Sequence, residues 1–313
     1  MAAVLRVSDL NLAQAQTPLL TAERVDAAPG LDPSAAVWND APTVEVPLTA
    51  QTIVYPNGGG TIPLVTAQAV HHAGTLFLRL AWADETQDDS SVATEAFSDA
   101  AALMFPAQSA AAVPAITMGQ ADAGVNIWYW RADSQVGVPD RPDEVYEGAL
   151  IDDYPLADDP LFYPARAVGN PTAGGAAGPA QNLIARGFGT LSPAADQAVR
   201  GHGARSERGW AVVLARSLAA ADIEQASFTE GAVTDFAIAV WDGSNGDRNG
   251  QKSISQFLRL AIAGETALPA AAVIEVEEDG TDLALLIGAA VGLPLFLVTV
   301  MGWMYLVYGR KEG

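Results

Sequence analysis

L-F-L-R-L-A-W-A-D-E-T, residues Leu76–Thr86, reads as a strand with one face in a core. Leu76, Leu78 and Leu80 fall on one side and Phe77 and Arg79 on the other, because successive side chains of an extended chain point to opposite faces. Similar short runs recur on either side: Val44–Leu48, Thr52–Tyr55, Ala101–Phe105, Val125–Trp130, Trp210–Leu214 and Phe236–Trp241. Each is strand-length, β-branched or aromatic in character, and bounded by Gly, Pro, Asn or Asp. The spacing is not that of βαβ units. The expected fold is therefore mainly β: an antiparallel β-sandwich with long loops and short helices, plus one C-terminal transmembrane α-helix. Residues 134–209 form a long Pro- and Gly-rich stretch with little periodicity, which reads as a functional loop.

The chain has 313 residues, half of them hydrophobic, so a sizeable core can be buried. Its formal net charge of −21 would repel a phosphate backbone, which excludes nucleic acid as a partner. There are no cysteines. Disulfides, thiolate metal sites, cysteine-ligated iron–sulfur clusters and covalently attached c-type haem are excluded with them.

Leu283–Tyr308 reads L-A-L-L-I-G-A-A-V-G-L-P-L-F-L-V-T-V-M-G-W-M-Y-L-V-Y and carries no charge. As a helix it would measure about 39 Å, enough for a hydrocarbon core of about 30 Å. Trp303, Tyr305 and Tyr308 lie toward one end as an interfacial belt, with Arg310 and Lys311 directly beyond; Glu275, Glu277, Glu278, Asp279 and Asp282 precede the span. The positive-inside rule puts the tail in the cytoplasm and the main domain outside, periplasmic or extracellular. The expected organisation is an N-terminal lead (1–32), a β-sandwich (33–262), an acidic linker (263–282), the membrane span (283–308) and a cytoplasmic tail (309–313). The first 16 residues end in an A-Q-A step like a cleavage site, without the apolar stretch of a signal peptide.

His71, His72 and His202 have no metal-site spacing, and neighbours on a strand, such as His71 and His72, point apart. The pairs Asp84–Glu85, Asp88–Asp89, Asp152–Asp153 and Asp158–Asp159 read as turn and surface residues. No pattern points to catalysis. Two residues stand out by scarcity. Lys252, in W-D-G-S-N-G-D-R-N-G-Q-K-S (Trp241–Ser253), is the only lysine apart from Lys311. A desolvated lysine can lose its proton and offer a nitrogen lone pair to iron, but an ordinary surface lysine fits the sequence equally well. Apart from the initiator and the span, the methionines are Met104 and Met118. A thioether is a soft iron ligand, although a methionine is more often core filler.

Further stretches complete a series: V-W-N-D-A-P (Val37–Pro42), F-S-D-A-A-A-L-M-F-P (Phe97–Pro106) and M-G-Q-A-D-A-G-V-N-I-W-Y-W-R-A-D (Met118–Asp133). They continue with A-R-A-V-G-N-P (Ala165–Pro171), A-R-G-F-G-T-L (Ala185–Leu191) and G-W-A-V-V-L-A-R (Gly209–Arg216). In this order, and with Leu76–Thr86 and Trp241–Ser253, they resemble the haem-b-binding gamma subunits of dimethyl sulfoxide reductase-family enzymes. Ethylbenzene dehydrogenase, dimethyl sulfide dehydrogenase and the selenate and chlorate reductases carry such subunits. The resemblance implies one non-covalent haem b gripped by Met118 and Lys252, with Arg166, Asn170 and Arg186 as further cofactor contacts. It implies a b-type cytochrome subunit that relays single electrons and is not itself an enzyme. The implied partners are the other subunits of a membrane redox complex, molybdenum and iron–sulfur subunits or cytochromes. The membrane span departs from that family's pattern, and residues 283–308 add the lipid bilayer as a partner.

Two other readings remain open. One is an extracytoplasmic carbohydrate- or ligand-binding sandwich, with Trp128, Tyr129 and Trp130 as a stacking platform and acidic pairs binding calcium. The other is a haem-less structural subunit of a membrane complex.

Overall fold

A computed structural model describes residues 17–91, 93–135, 168 and 178–264. The expected membrane span and tail, the linker beyond residue 264 and residues 1–16 of the expected lead lie outside the described residues. Among the described residues no helix is long and apolar enough to cross a membrane.

The chain enters through β1 (Leu19–Arg24) and one 3-10 turn (Ala36–Asn39), followed by β2 (Thr43–Pro47) and β3 (Thr49–Ala50). A hairpin of β4 (Leu64–His72) and β5 (Thr75–Ala83) follows, then β6 (Ala100–Pro106) and β7 (Val125–Arg131). Next come β8 (Ala180–Ala185), β9 (Ser192–Pro193), β10 (Arg200–Ser206) and β11 (Gly209–Ser217). The last are β12 (Val233–Trp241), β13 (Ser253–Ile254) and β14 (Leu258–Ile262). The two-residue β4–β5 turn has positive φ at both Ala73 (45°) and Gly74 (75°), the form whose twist matches the flanking strands.

Pairing runs β10-β11-β5-β4-β1-β14-β12-β6-β7-β8-β9. β12 belongs to both layers: Val233–Phe236 pairs with β14, and Ala237–Trp241 pairs with β6. The sheet folds over along this strand and encloses a core. Leu76, Leu78, Leu80 and Trp82 of β5 there meet Leu103 and Phe105 of β6 and Trp128 and Trp130 of β7. The Trp130 ring sits 5.1 Å from that of Trp210 and 6.4 Å from that of Trp82, both edge-on, bridging the layers.

Several expectations need correction. The sandwich is mixed, because β1 runs parallel to both β4 and β14. Its Leu20 and Ala22 are wholly buried, so the domain begins earlier than residue 33. A strand drawn from the N-terminal segment fills the gap between two elements whose direction was already set. Thr52–Tyr55 is not a strand, and Ile53 and Tyr55 are exposed. The 134–209 stretch contains β8, β9 and β10, whose small and polar residues hide their periodicity. Trp128 and Trp130 are wholly buried inside the sandwich, so no Trp128–Trp130 stacking platform exists.

Gly203 of β10 lies close against Trp130 of β7. A Cβ there would lie 2.3 Å from the Trp130 ring. Gln135 ties the two together, accepting from Trp130 Nε1 (3.0 Å) and Gly203 N (2.6 Å) and donating to Gly203 O (2.6 Å). Gly203→Val is expected to destabilise the domain by about 2–3 kcal/mol through overpacking. Urea unfolding checks this, and a loss within measurement error would contradict the contact.

Candidate functional site

Alternation along β6, β7, β8 and β12 sends a second set of apolar residues to the outer face of the sandwich. Ala100, Ala102, Met104, Val125, Ile127 and Leu183 form this layer together with Ala237 and Trp241. An outer sheet face would ordinarily meet water and be polar. Here it is apolar and, at Ala102, Ala237 and Ala239, short-sided, which leaves room above it.

That room is a cavity of about 560 Å³. Small-molecule and cofactor sites typically occupy about 300–1,000 Å³ and are mainly apolar. The floor is the alanine-rich strand face with Tyr129 and Trp241, whose rings meet edge to face at 5.3 Å. Burial pushes the Tyr129 phenol up to about 12, so it stays neutral. Loops supply the walls: Ile116–Met118, Phe188–Leu191, Gln51–Pro56 and Asn249–Lys252. Among the described lining residues there is no histidine and no carboxylate, and the only cations are Arg131 and Lys252.

Met118 and Lys252 both line this cavity. Met118 adopts φ +69°, a left-handed conformation that is uncommon for a side-chain-bearing residue. It is held by hydrogen bonds from Gly119 N to Ala115 O and from Gly187 N to Met118 O, both 2.9 Å. Strain of this kind concentrates at functional positions, where the surroundings enforce it. Met104 also lines the cavity, but packs in the floor between its register partners Ala237 and Ile127.

The Lys252 Nζ lies 4.8 Å from the centre of the Trp241 ring. Among the described residues no carboxylate forms an ion pair with it. Burial lowers its pKa from 10.5 to about 8, so its lone pair is far easier to expose than in water. The main chain around it is tightly set. Lys252 N donates to Gly58 O (3.1 Å) and Gln51 N donates to Lys252 O (3.0 Å). Gly59, at φ +85°, lies so close that a Cβ would come within 2.3 Å of the Lys252 carbonyl carbon. The buried Gln51 amide donates to Val54 O (2.7 Å) and Gly250 O (3.0 Å) and accepts from Ile53 N (2.6 Å), joining the two loops.

The remaining expected contacts are placed differently. Arg186 is outside the cavity lining; it pairs with Glu224 and donates to Ala121 O (3.0 Å), bracing the loop after Met118. Arg166 and Asn170 lie outside the described residues. Gln51, Gly59, Arg131 and Trp241 take part in the site but were not singled out as site residues. The run N-G-G-G (Asn57–Gly60) was the available signal for a close backbone approach. His71 is buried and bonds Ala263 O at 2.8 Å, and His72 bonds Val25 O at 2.8 Å, so both are structural.

The residues present fit a haem: a broad apolar floor, a thioether and an unpaired, easily deprotonated amine in one cavity. The fold and site define a β-sandwich that carries a cofactor-sized apolar cavity on the outer face of one layer. The chain belongs to the ethylbenzene dehydrogenase family, whose model matches residues 35–148 and 184–253. It is 30% identical over 226 residues to a protein of Haloferax mediterranei named as a respiratory nitrate reductase haem subunit, covering 72% of this chain and 66% of that one. It is 31% identical over 228 residues to the chlorate reductase gamma subunit of Ideonella dechloratans, covering 71% and 75% respectively. The dimethylsulfide dehydrogenase gamma subunit of Rhodovulum sulfidophilum is 26% identical over 245 residues, covering 76% and 77%.

Proposed function

We propose that this chain is the haem-carrying, electron-transfer subunit of a respiratory redox complex, and not its catalytic subunit. A single b-type haem would be held non-covalently by the residues lining the cavity over β6, β7, β8 and β12, with the Met118 thioether and the Lys252 amine as the side chains that would bind its iron. The observation that carries this reading is that these two residues, distant in sequence, line a single apolar cavity. The cofactor supplies a one-electron carrier when bound. The burial beside Trp241 lowers the cost of deprotonating Lys252, so its nitrogen could give up its proton to bind iron. The turn at Met118 presents the sulfur, and a thioether ligand raises the potential of the iron. Arg131, at the cavity and paired with Asp133, is the candidate partner for a propionate.

Electrons pass singly between partner subunits of the complex, iron–sulfur or molybdenum proteins or cytochromes. Residues 283–308 anchor the chain in the membrane with the sandwich on the extracytoplasmic side. The purified protein is expected to show a Soret band with split α and β peaks on reduction. A colourless protein that takes up no added haem would refute the assignment.

A further inference from the structure

Three carboxylates from separate parts of the chain converge beside the start of the loop that carries Lys252. Asp88 follows β5, Asp99 precedes β6 and Asp242 follows β12. One oxygen from each lies within 4.8 Å of the others. Asp99 is wholly buried and Asp242 is 7% exposed. Gly243 makes the approach possible, since a Cβ there would lie 2.4 Å from Asp88 Cβ and 2.1 Å from Phe97 O.

The hydrogen bonds to this cluster leave it incomplete. Asp99 accepts from Asp88 N, Trp210 Nε1 and Gly243 N, each at 2.9 Å. Asp242 Oδ1 accepts from Ser244 Oγ (2.7 Å) and Asn245 N (3.2 Å). Asp88 Oδ2 is buried and has no donor at all. Asp84, 8% exposed and near enough for its charge to act on Asp99, has an orphan Oδ2 as well. Among the described residues no arginine or lysine forms an ion pair with any of the four. Asp88 as a whole is half-buried, but its inner oxygen is fully buried; converging carboxylates of this kind, with no countercharge among the described residues and oxygens with no donor, are a costly arrangement unless a cation completes it.

We infer that Asp88, Asp99 and Asp242 form a calcium site. The donor set is oxygen only, which selects a hard cation. Two oxygens bound to one calcium at about 2.3–2.6 Å each lie at most about 5 Å apart, which matches the spread of this cluster, whereas magnesium demands a tighter octahedron. The site fastens the segment after β5 to the turn at Asp242–Asp247, from which the chain runs on to Lys252. Trp241 Nε1 donates to Asn249 O (3.2 Å), between that turn and Lys252. The inference does not depend on haem.

Terbium is the probe, because it occupies calcium sites and is excited by a nearby indole; Trp210 bonds directly to Asp99. The full-length protein is expected to give tryptophan-sensitised terbium emission that saturates at one equivalent and is displaced by calcium but not by magnesium. Asp88→Asn and Asp242→Asn should each weaken terbium and calcium binding about tenfold or more, while the exposed Asp40→Asn leaves it unchanged. Calcium should also raise the melting temperature of the wild type more than that of Asp88→Asn. Emission without a saturable single equivalent, or an Asp88→Asn titration matching the wild type, would overturn the site.

Discussion

Lys252→Leu is expected to abolish the low-spin haem spectrum while making the cofactor-free protein more stable. Leucine fills similar space on Trp241 but has no lone pair, so the proposed amine ligand is removed. In the cofactor-free wild type the amine is held in apolar surroundings with no carboxylate partner among the described residues. Its pKa is about 8 in the fold against 10.5 in the unfolded chain. The folded state therefore binds fewer protons between those values, and stability rises as pH climbs from about 8 to about 10.5. Below about pH 8 the whole cost of burying the charge is present. Lys252 keeps part of its surface open to solvent, which limits that cost to on the order of 2 kcal/mol. Denaturant unfolding of the cofactor-free proteins should show Lys252→Leu ahead by about that amount at pH 7, with the gap closing toward pH 10. A variant that retains the wild-type haem spectrum would remove Lys252 as a ligand.

Met118→Ala is expected to eliminate the same low-spin spectrum and lower the reduction potential, whereas Met104→Leu should leave both nearly unchanged. The cavity holds both thioethers, so the pair of variants decides between them. Met104 is seated in the strand face, while Met118 stands on a strained turn in the cavity wall. The strain gives a second readout. Met118→Gly should fold more stably than Met118→Ala by about 1 kcal/mol, because only glycine accepts a left-handed conformation without penalty. Equal stabilities would mean that the turn is not under strain. If Met104→Leu alone changed the spectrum, the sulfur ligand would have to be reassigned. On the proposed assignment, both positions would trade stability of the empty fold for ligation, the usual direction of conflict between a functional site and its scaffold.

Residue scarcity drew attention to two positions of the cavity, and the family resemblance made them candidate ligands. Lys252 is the one lysine apart from Lys311, and Met118 is one of few methionines, which singles out those positions without a fold. What was not legible was the ground they stand on. Gln51 and Gly59 look like loop residues, and their role arises because a loop before β4 lies flat against the residues before β13. Thr52–Tyr55 carries the composition of a strand, yet the Gln51 side chain takes the backbone N–H groups of Ile53 and Val54, at 2.6 and 2.7 Å, that a sheet would have used. Side-chain capture of backbone donors competes with strand pairing and leaves no periodic signature.

By itself the sequence determined a β-rich domain, the inward face of β5 and the exclusion of covalent haem, and its family resemblance supplied two candidate ligands. Period-two alternation and residue chemistry are local properties, and they survive without knowledge of partners. Tertiary structure alone decided that β1 enters parallel between β4 and β14, that the alanines of β6 and β12 leave a cavity, and that Asp88, Asp99 and Asp242 meet. Each of these depends on which distant segments become neighbours, and that is set by packing of the whole core rather than by any stretch of the chain.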